Sequence, residues 1–164
     1  VLATSARLGL ATGFPRPTVD DQGTPTTVRD LPASERFFAG GDTSVRGFAL
    51  DELGIPGKTL DVNGFPTGGN GLVILNAELR VPLRKSVGIV GFIDSGNVFS
   101  SASDTSLRDL RSAVGFGVRY KSPVGPIRFD LGFKVGRRLR ESQTPANRTL
   151  ENLTAFHISL GQAF

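Results

Sequence analysis

The chain has 164 residues, enough for one domain, and its 21 glycines and 10 prolines favour short strands and turns over long helices. Its formal net charge is +4, but the basic residues are scattered and lack the interleaved aromatic residues that base stacking uses, so no nucleic-acid partner is expected. Cysteine is absent and no run of about eighteen apolar residues exists, which excludes a disulfide framework, a thiol nucleophile and a transmembrane helix.

Six segments in which apolar residues recur at every second position predict an all-β chain. The predicted strands are residues 2–13, 72–83, 88–99, 112–120, 126–136 and 153–164. In the fifth segment Ile127, Phe129 and Leu131 alternate with Arg128 and Asp130, so apolar residues share one face and charged residues the other. A membrane-spanning barrel wall, with lipid outside and a polar lumen inside, has this pattern, whereas a soluble core rarely tolerates inward-facing charges.

The predicted connections alternate in length along the chain. Residues 84–87 and 122–125 are short turns, and residues 14–71, 100–111 and 138–152 are long loops. Bacterial outer-membrane barrels have short periplasmic turns and long extracellular loops, so this alternation places the C-terminus on the periplasmic side.

The predicted strands are too few for a complete membrane barrel. Bacterial barrels have at least about eight strands, and an open sheet edge is not tolerated in lipid. The first residues also lack the basic and apolar regions of a signal peptide. We therefore expect the chain to be part of a longer protein, with the other strands lying upstream or supplied by other copies.

Four segments in order resemble the BamA/TamA outer-membrane protein insertase superfamily, of the bacterial surface antigen type. They are residues 36–48, with RFFAGGD leading into VRGF, and residues 76–83 (NAELRVPL), 91–99 (GFIDSGNVF) and 122–127 (SPVGPI). The resemblance implies an antiparallel transmembrane β-barrel, sixteen-stranded in the family, of which residues 1–164 supply about six C-terminal strands. It also implies that residues 14–71 form a long loop inserted into the lumen and that periplasmic domains lie upstream.

The resemblance assigns a loop motif and its partners. The implied lumen-loop motif is Val45, Arg46, Gly47 and Phe48. Arg46 is implied to pair with Asp94, with Glu78 as a second partner, and alternation independently places Asp94 in the lumen. Gly47 would allow the loop backbone to approach the wall closely.

The last residues resemble the sorting signal of outer-membrane barrels, because apolar residues alternate and an aromatic residue ends the chain. The implied signal residues are Phe156, Ile158, Leu160, Gly161 and Phe164, while Gln162 departs from the apolar spacing. This strand would form one side of a lateral seam whose backbone groups template an incoming client strand. His157, the only histidine, is expected to make a lumen hydrogen bond.

The implied function is protein insertion at a Gram-negative-type bacterial outer membrane, without enzymatic chemistry. The expected partners are the lipid bilayer, unfolded outer-membrane protein clients and accessory assembly proteins bound by upstream domains; no cofactor or metal is expected. The alternatives are a two-partner-type protein secretion translocator, a simple porin and a soluble ligand-binding β-domain. The translocator shares the arginine motif, whereas a porin would lack the pair of motifs that this chain has at residues 45–48 and 91–96.

Overall fold

The computed structural model describes residues 1–29, 31–123, 125–138 and 150–161, and its regular structure is almost entirely β-strand. The strands are β1 (Leu2–Leu10), β2 (Arg16–Val19), β3 (Pro25–Val28), β4 (Gly71–Pro82), β5 (Val87–Phe99), β6 (Arg111–Ser122), β7 (Gly125–Val135) and β8 (Thr154–Leu160). Single 3-10 turns lie at Ala33–Glu35, Ala102–Asp104 and Leu107–Asp109. No helix within the described ranges is long and apolar enough to cross a membrane.

Six strands form one antiparallel sheet in the order β1-β4-β5-β6-β7-β8. This confirms the predicted all-β class and the predicted number of strands. Of the predicted segment 153–164, β8 covers Thr154–Leu160, and Gly161 takes a φ of 103°, which departs from extended backbone. The predicted terminal residue Phe164 lies outside the described residues.

The long loop contains a hairpin that alternation did not predict. β2 and β3 pair over four residues each, and the Asp20 carboxylate accepts hydrogen bonds from the backbone N–H groups of Gln22 (2.9 Å) and Thr24 (2.8 Å) in the turn. Every residue of both strands is exposed. Strands without a buried face have no apolar alternation, so a periodicity test does not detect them.

The main sheet has an apolar outer face and a charged inner face. Exposed large side chains of the outer face include Leu75, Leu79, Val81, Ile89, Ile93, Val114, Phe116, Val118, Phe129, Phe156, Ile158 and Leu160. The alternate positions carry buried polar side chains, among them Glu78, Asp94, Arg128 and Asp130. This arrangement is the reverse of a water-soluble sheet, which buries its apolar face.

The long loop covers the inner face and forms a small core with it. The core residues are Ala39, Val45, Phe48 and Leu53 of the loop with Ile74 of β4, Val98 of β5 and Ala113 of β6, all at most 3% exposed. Elsewhere the Thr59 hydroxyl donates to the carbonyl oxygen of Val98 at 3.2 Å. Phe37 and Gly69 exchange backbone hydrogen bonds of 2.8 and 3.0 Å near the start of β4. These contacts hold residues 45–48 against the sheet.

An ion pair ties the connection between β7 and β8 to the first residue of β6. The two carboxylate oxygens of Glu151 accept hydrogen bonds from Arg111, at 2.7 Å from Nη1 and 2.5 Å from Nη2. Burial alone would raise the pKa of Glu151, but the hydrogen bonds and charge of Arg111 outweigh burial and hold this pKa below its ordinary value. The Glu151 carboxylate is therefore ionised at neutral pH.

We predict that Glu151→Gln lowers the free energy of unfolding at neutral pH. Because the pKa of Glu151 is lower in the folded than in the unfolded state, the pair stabilises the fold above the ordinary glutamate pKa of about 4.3. This contribution is lost as the pH falls through the folded-state pKa, so the difference from wild type should shrink in acid. Urea unfolding in detergent over a pH series measures it; a difference that stays constant from neutral to acid pH would contradict the ionic origin.

Candidate functional site

Arg46 is the centre of a buried polar network on the inner face of the sheet. Its side chain is 1% exposed. Nε and Nη2 donate to the two carboxylate oxygens of Asp94 at 2.8 and 2.9 Å, and Nη1 donates to Glu78 at 2.5 Å. The backbone N–H of Arg46 also donates to Asp94, at 3.1 Å. The planar fork of the guanidinium matches a carboxylate, so this pairing fixes the direction of the side chain as well as its charge.

Strands β4 and β5 bring the two carboxylates together. Asn76 and Asp94 are directly opposite each other in the antiparallel register, and Glu78 lies two residues further along β4 on the same face. The Asn76 side-chain amide donates to Asp94 at 2.8 Å and to the backbone carbonyl of Ser44 at 2.6 Å. Asn76 therefore holds both the carboxylate and the loop just before Arg46.

A third carboxylate, Asp130 of β7, extends the network. Its Oδ2 lies 3.8 Å from Nη1 of Arg46, and its Oδ1 accepts a hydrogen bond from Arg119 at 2.6 Å. The remaining arginine contacts are those of Arg80 and Arg119 with Glu78, at 2.7 and 3.3 Å, and of Arg128 with Asp130, at 3.3 Å. Alternation had assigned Asp130 to the polar face, but periodicity carries no information on which carboxylates converge on one loop residue.

The charge of Arg46 is maintained despite its burial. Burial alone would lower the pKa of Arg46, but its hydrogen bonds and charge interactions with Asp94 and Glu78 raise this pKa above the ordinary value. The guanidinium also lies over the ring of Phe92, with Cζ 3.6 Å from the ring centroid. The site is therefore a pre-formed ionic contact between the loop and the sheet.

The network attaches the loop to the sheet through hydrogen bonds between charged side chains. Glu78, Asp94 and Asp130 each accept hydrogen bonds from arginine side chains, so none is a free base. Within the ranges that the structure describes, no cluster of histidine and acidic residues could hold a metal ion.

The neighbours of Arg46 in the motif anchor the loop by packing. Val45 is 0% exposed and belongs to the core between loop and sheet. Phe48 is 1% exposed, and its ring centroid lies 4.6 Å from Cζ of Arg111 and 4.7 Å from Nζ of Lys134. Phe48 thus adds cation–π contacts with β6 and β7 to its apolar burial.

Gly47 passes so close to the sheet that no side chain fits there. A Cβ atom on Gly47 would lie 2.4 Å from Cβ of Ala113, and a Cβ atom on Gly132 of β7 would lie 2.2 Å from the carbonyl oxygen of Arg46. Both distances are shorter than real Cβ contacts. Glycine on each side therefore allows the loop backbone to rest directly on the backbone of β7.

The predicted sorting-signal residues lie apart from this network. Phe156, Ile158 and Leu160 share the outer face of β8, where they are 61%, 61% and 72% exposed. Gly161 follows the end of that strand. Their positions suit contact with lipid or with another polypeptide.

His157 lies on the opposite, inner face of β8 and does reach the network. Its Nε2 is 3.1 Å from the backbone carbonyl oxygen of Arg46. In the register of β7 and β8 it is directly opposite Asp130. Alternation had indicated a lumen hydrogen bond for His157, but nothing in the sequence pointed to its partner.

We predict that Arg46→Ala lowers the free energy of unfolding by about 3–5 kcal/mol, because Glu78 and Asp94 would remain buried without their charge partner. Arg46→Lys should lose less, since an ammonium keeps the charge but lacks the bidentate fork. Lys58→Ala removes an exposed cation of the same loop and should change the value by less than about 0.5 kcal/mol. Urea unfolding in detergent compares the three variants; equal losses for Arg46→Ala and Lys58→Ala would refute the network's importance.

Curated proteins similar to this chain are assembly factors and chloroplast proteins. The outer membrane protein assembly factor BamA of Nitratidesulfovibrio vulgaris is 29% identical over 138 residues, covering 82% of this chain and 16% of that protein. BamA of Neisseria meningitidis serogroup B is 26% identical over 168 residues, covering 84% and 19%. The chloroplastic protein TOC75 of Oryza sativa subsp. japonica is 34% identical over 111 residues, covering 66% and 11%. The chain thus spans less than a fifth of each of these relatives.

A solved structure has the same fold. The crystal structure of BamA from Haemophilus ducreyi lacking POTRA domains 1-3 matches with a TM-score of 0.58 at 20% identity, over 96% of this chain and 31% of that chain. The sheet therefore has the fold of a segment of that protein. A family model for the Omp85 superfamily domain matches residues 1–164, which confirms the family resemblance seen in the sequence. The chain belongs to the Omp85 superfamily.

Proposed function

We propose that this chain is the C-terminal part of a transmembrane β-barrel that assists the insertion of other barrel proteins into an outer membrane. The observation that carries the proposal is the buried network of Arg46, Glu78 and Asp94, which fixes a long loop to the inner wall. Similarity to proteins named outer membrane protein assembly factors supports the same activity. The partners are lipid and unfolded outer-membrane proteins, and accessory proteins would bind through domains outside residues 1–164.

The outer face of the sheet supports a position in lipid. Ile93 in the middle of the sheet is 58% exposed, Phe116 on the next strand is 57% exposed, and Ile158 on β8 is 61% exposed. A continuous apolar surface of this kind would drive aggregation in water but is solvated by the hydrocarbon of a bilayer. The proposed location is the outer membrane of a Gram-negative-type bacterium.

The edges of the sheet support a larger barrel. β1 and β8 stand at opposite ends of the strand order and do not pair with each other in the described part of the chain. Unpaired backbone groups at a sheet edge are costly in lipid, so further strands of a sixteen-stranded barrel would pair with β1. In this proposal the short turns after β4 and β6 face the periplasm, and by the same alternation the C-terminus would be periplasmic.

The docked loop argues against a simple porin. Residues 45–53 of the loop pack onto β4, β5 and β6, where a diffusion channel needs open space. In the proposed protein the loop instead braces the wall from inside. β4 to β7 then form a stiff region, because ion pairs and packed backbone join them to one segment of the loop.

The proposed mechanism is physical and needs no nucleotide or covalent step. β8 pairs with β7 only, among the strands described, so the backbone groups of its other edge are available for a client strand. Addition of a strand at this lateral seam is β-augmentation, in which main-chain hydrogen bonds provide the affinity. The braced region would keep the rest of the wall in place while β8 separates from its neighbour and closes again.

We predict that the full-length protein in liposomes accelerates the folding of a small urea-unfolded barrel protein. Arg46→Ala and Asp94→Ala should each lose most of this acceleration, because either change releases the loop from the wall. Lys58→Ala should retain it, since Lys58 is exposed and lies outside the network. The gain of protease resistance by the client over time measures its folding. If the client folds no faster in liposomes that contain the wild-type protein than in empty liposomes, the result would favour a secretion translocator instead.

The lateral seam has its own test. A photo-crosslinking residue at Ile158 on β8 should capture an unfolded client during its insertion. The same residue at Ile93 on β5 should not, although the two sites are similarly exposed, at 61% and 58%. Both face outward, so the comparison separates a seam from general contact with the outer surface. Equal capture at the two sites would rule out templating at β8.

A further inference from the structure

We infer that His157 is the positioning residue through which the inserted loop holds the terminal strand β8. The contact between His157 and the loop does not depend on the proposed function. Its consequence, control of the edge of β8 that receives a client strand, rests on that function. The contact joins residues that are 111 positions apart in the sequence, with 3.1 Å between Nε2 of His157 and the carbonyl oxygen of Arg46. A carbonyl oxygen only accepts hydrogen bonds, so Nε2 of His157 carries the hydrogen and donates it.

The acceptor is held rigidly. The side chain of the same residue, Arg46, is bonded to Asp94 of β5 and to Glu78 of β4. On the other side, the Arg46 carbonyl rests on Gly132 of β7, where there is no room for even one added carbon. His157 is therefore bound to an anchor that three other strands keep in place. Through this one residue, β8 is connected to β4 and β5, which are not its neighbours in the sheet.

Strand β8, which donates this bond, is the most weakly held of the described strands beside the loop motif. β8 has 7 residues, whereas β7 has 11, and β8 has β7 as its one paired neighbour among the strands described. Beside the contact, a cavity of about 320 Å³ separates part of the loop from β8, and its lining includes Leu50, Glu52, Lys134, Thr154 and His157. Because packing is incomplete there, one hydrogen bond has a large influence on how often β8 leaves the loop.

The experiment measures deuterium uptake of the full-length protein in liposomes. In His157→Ala and in His157→Asn, whose amide is too short to reach, the backbone amides of β8 should exchange about two- to tenfold faster, as expected for one lost hydrogen bond. His157→Gln places an amide N–H near the position of Nε2 and should restore the wild-type rate. Ser159→Ala is the matched control, since Ser159 lies on the same strand and its hydroxyl has no hydrogen-bond partner among the residues described. β4 amides should be unchanged in every variant.

Three results would overturn the inference. The first is that β8 amides in His157→Ala exchange at the wild-type rate. The second is that His157→Gln does not restore the wild-type rate. The third is that exchange accelerates equally in β4 and β8, which would mean general destabilisation. The client-folding assay is independent of this readout. If β8 is released in His157→Ala but the wild-type protein folds no client, the proposed function fails and the loop contact stands. If clients are folded but β8 exchange does not respond, the contact inference fails alone.

Discussion

A buried guanidinium needs hydrogen-bond acceptors and a balancing negative charge, and this requirement organises the inner face of the sheet. Arg46 is paired with Asp94 and Glu78. Both carboxylates reach it because the register of β4 and β5 puts them on the same face of the sheet. The carboxylates in turn need the arginines of β4, β6 and β7 to remain satisfied away from water. Since desolvation costs several kcal/mol per ion, the network is stable when complete and unfavourable when any partner is missing.

The other features of the fold follow from this division between an ionic interior and an apolar exterior. Each strand of the six-stranded sheet faces both surroundings, so apolar and polar side chains alternate along much of its length. The loop joins the two arrangements: its apolar residues make a core where the wall lacks one, and its arginine completes the charges that the wall presents. Attachment of the loop is concentrated on the central strands β4 to β7, whereas β8 contacts the loop motif through His157.

The parts that could be predicted from the sequence are those that depend on local period or on a recurring motif. Alternation predicted the six strands and the inward direction of Asp94, and the family resemblance named Arg46 with its two carboxylate partners. The hairpin of β2 and β3 was missed because neither strand has a buried face. The inclusion of Asp130 and the partner of His157 depend on the path of the loop through space, and a linear pattern does not contain that path.

The loop approaches the wall most closely at Gly47 and Gly132, where a side chain would collide with Ala113 of β6 or with the backbone of Arg46. Contact between backbones depends on how closely two chains can approach and is indifferent to the side chains elsewhere in the loop. The hairpin of β2 and β3, whose residues are all exposed, lies outside this contact. A change in the length of that hairpin would therefore leave the close approach of Arg46 and Gly47 to the sheet intact.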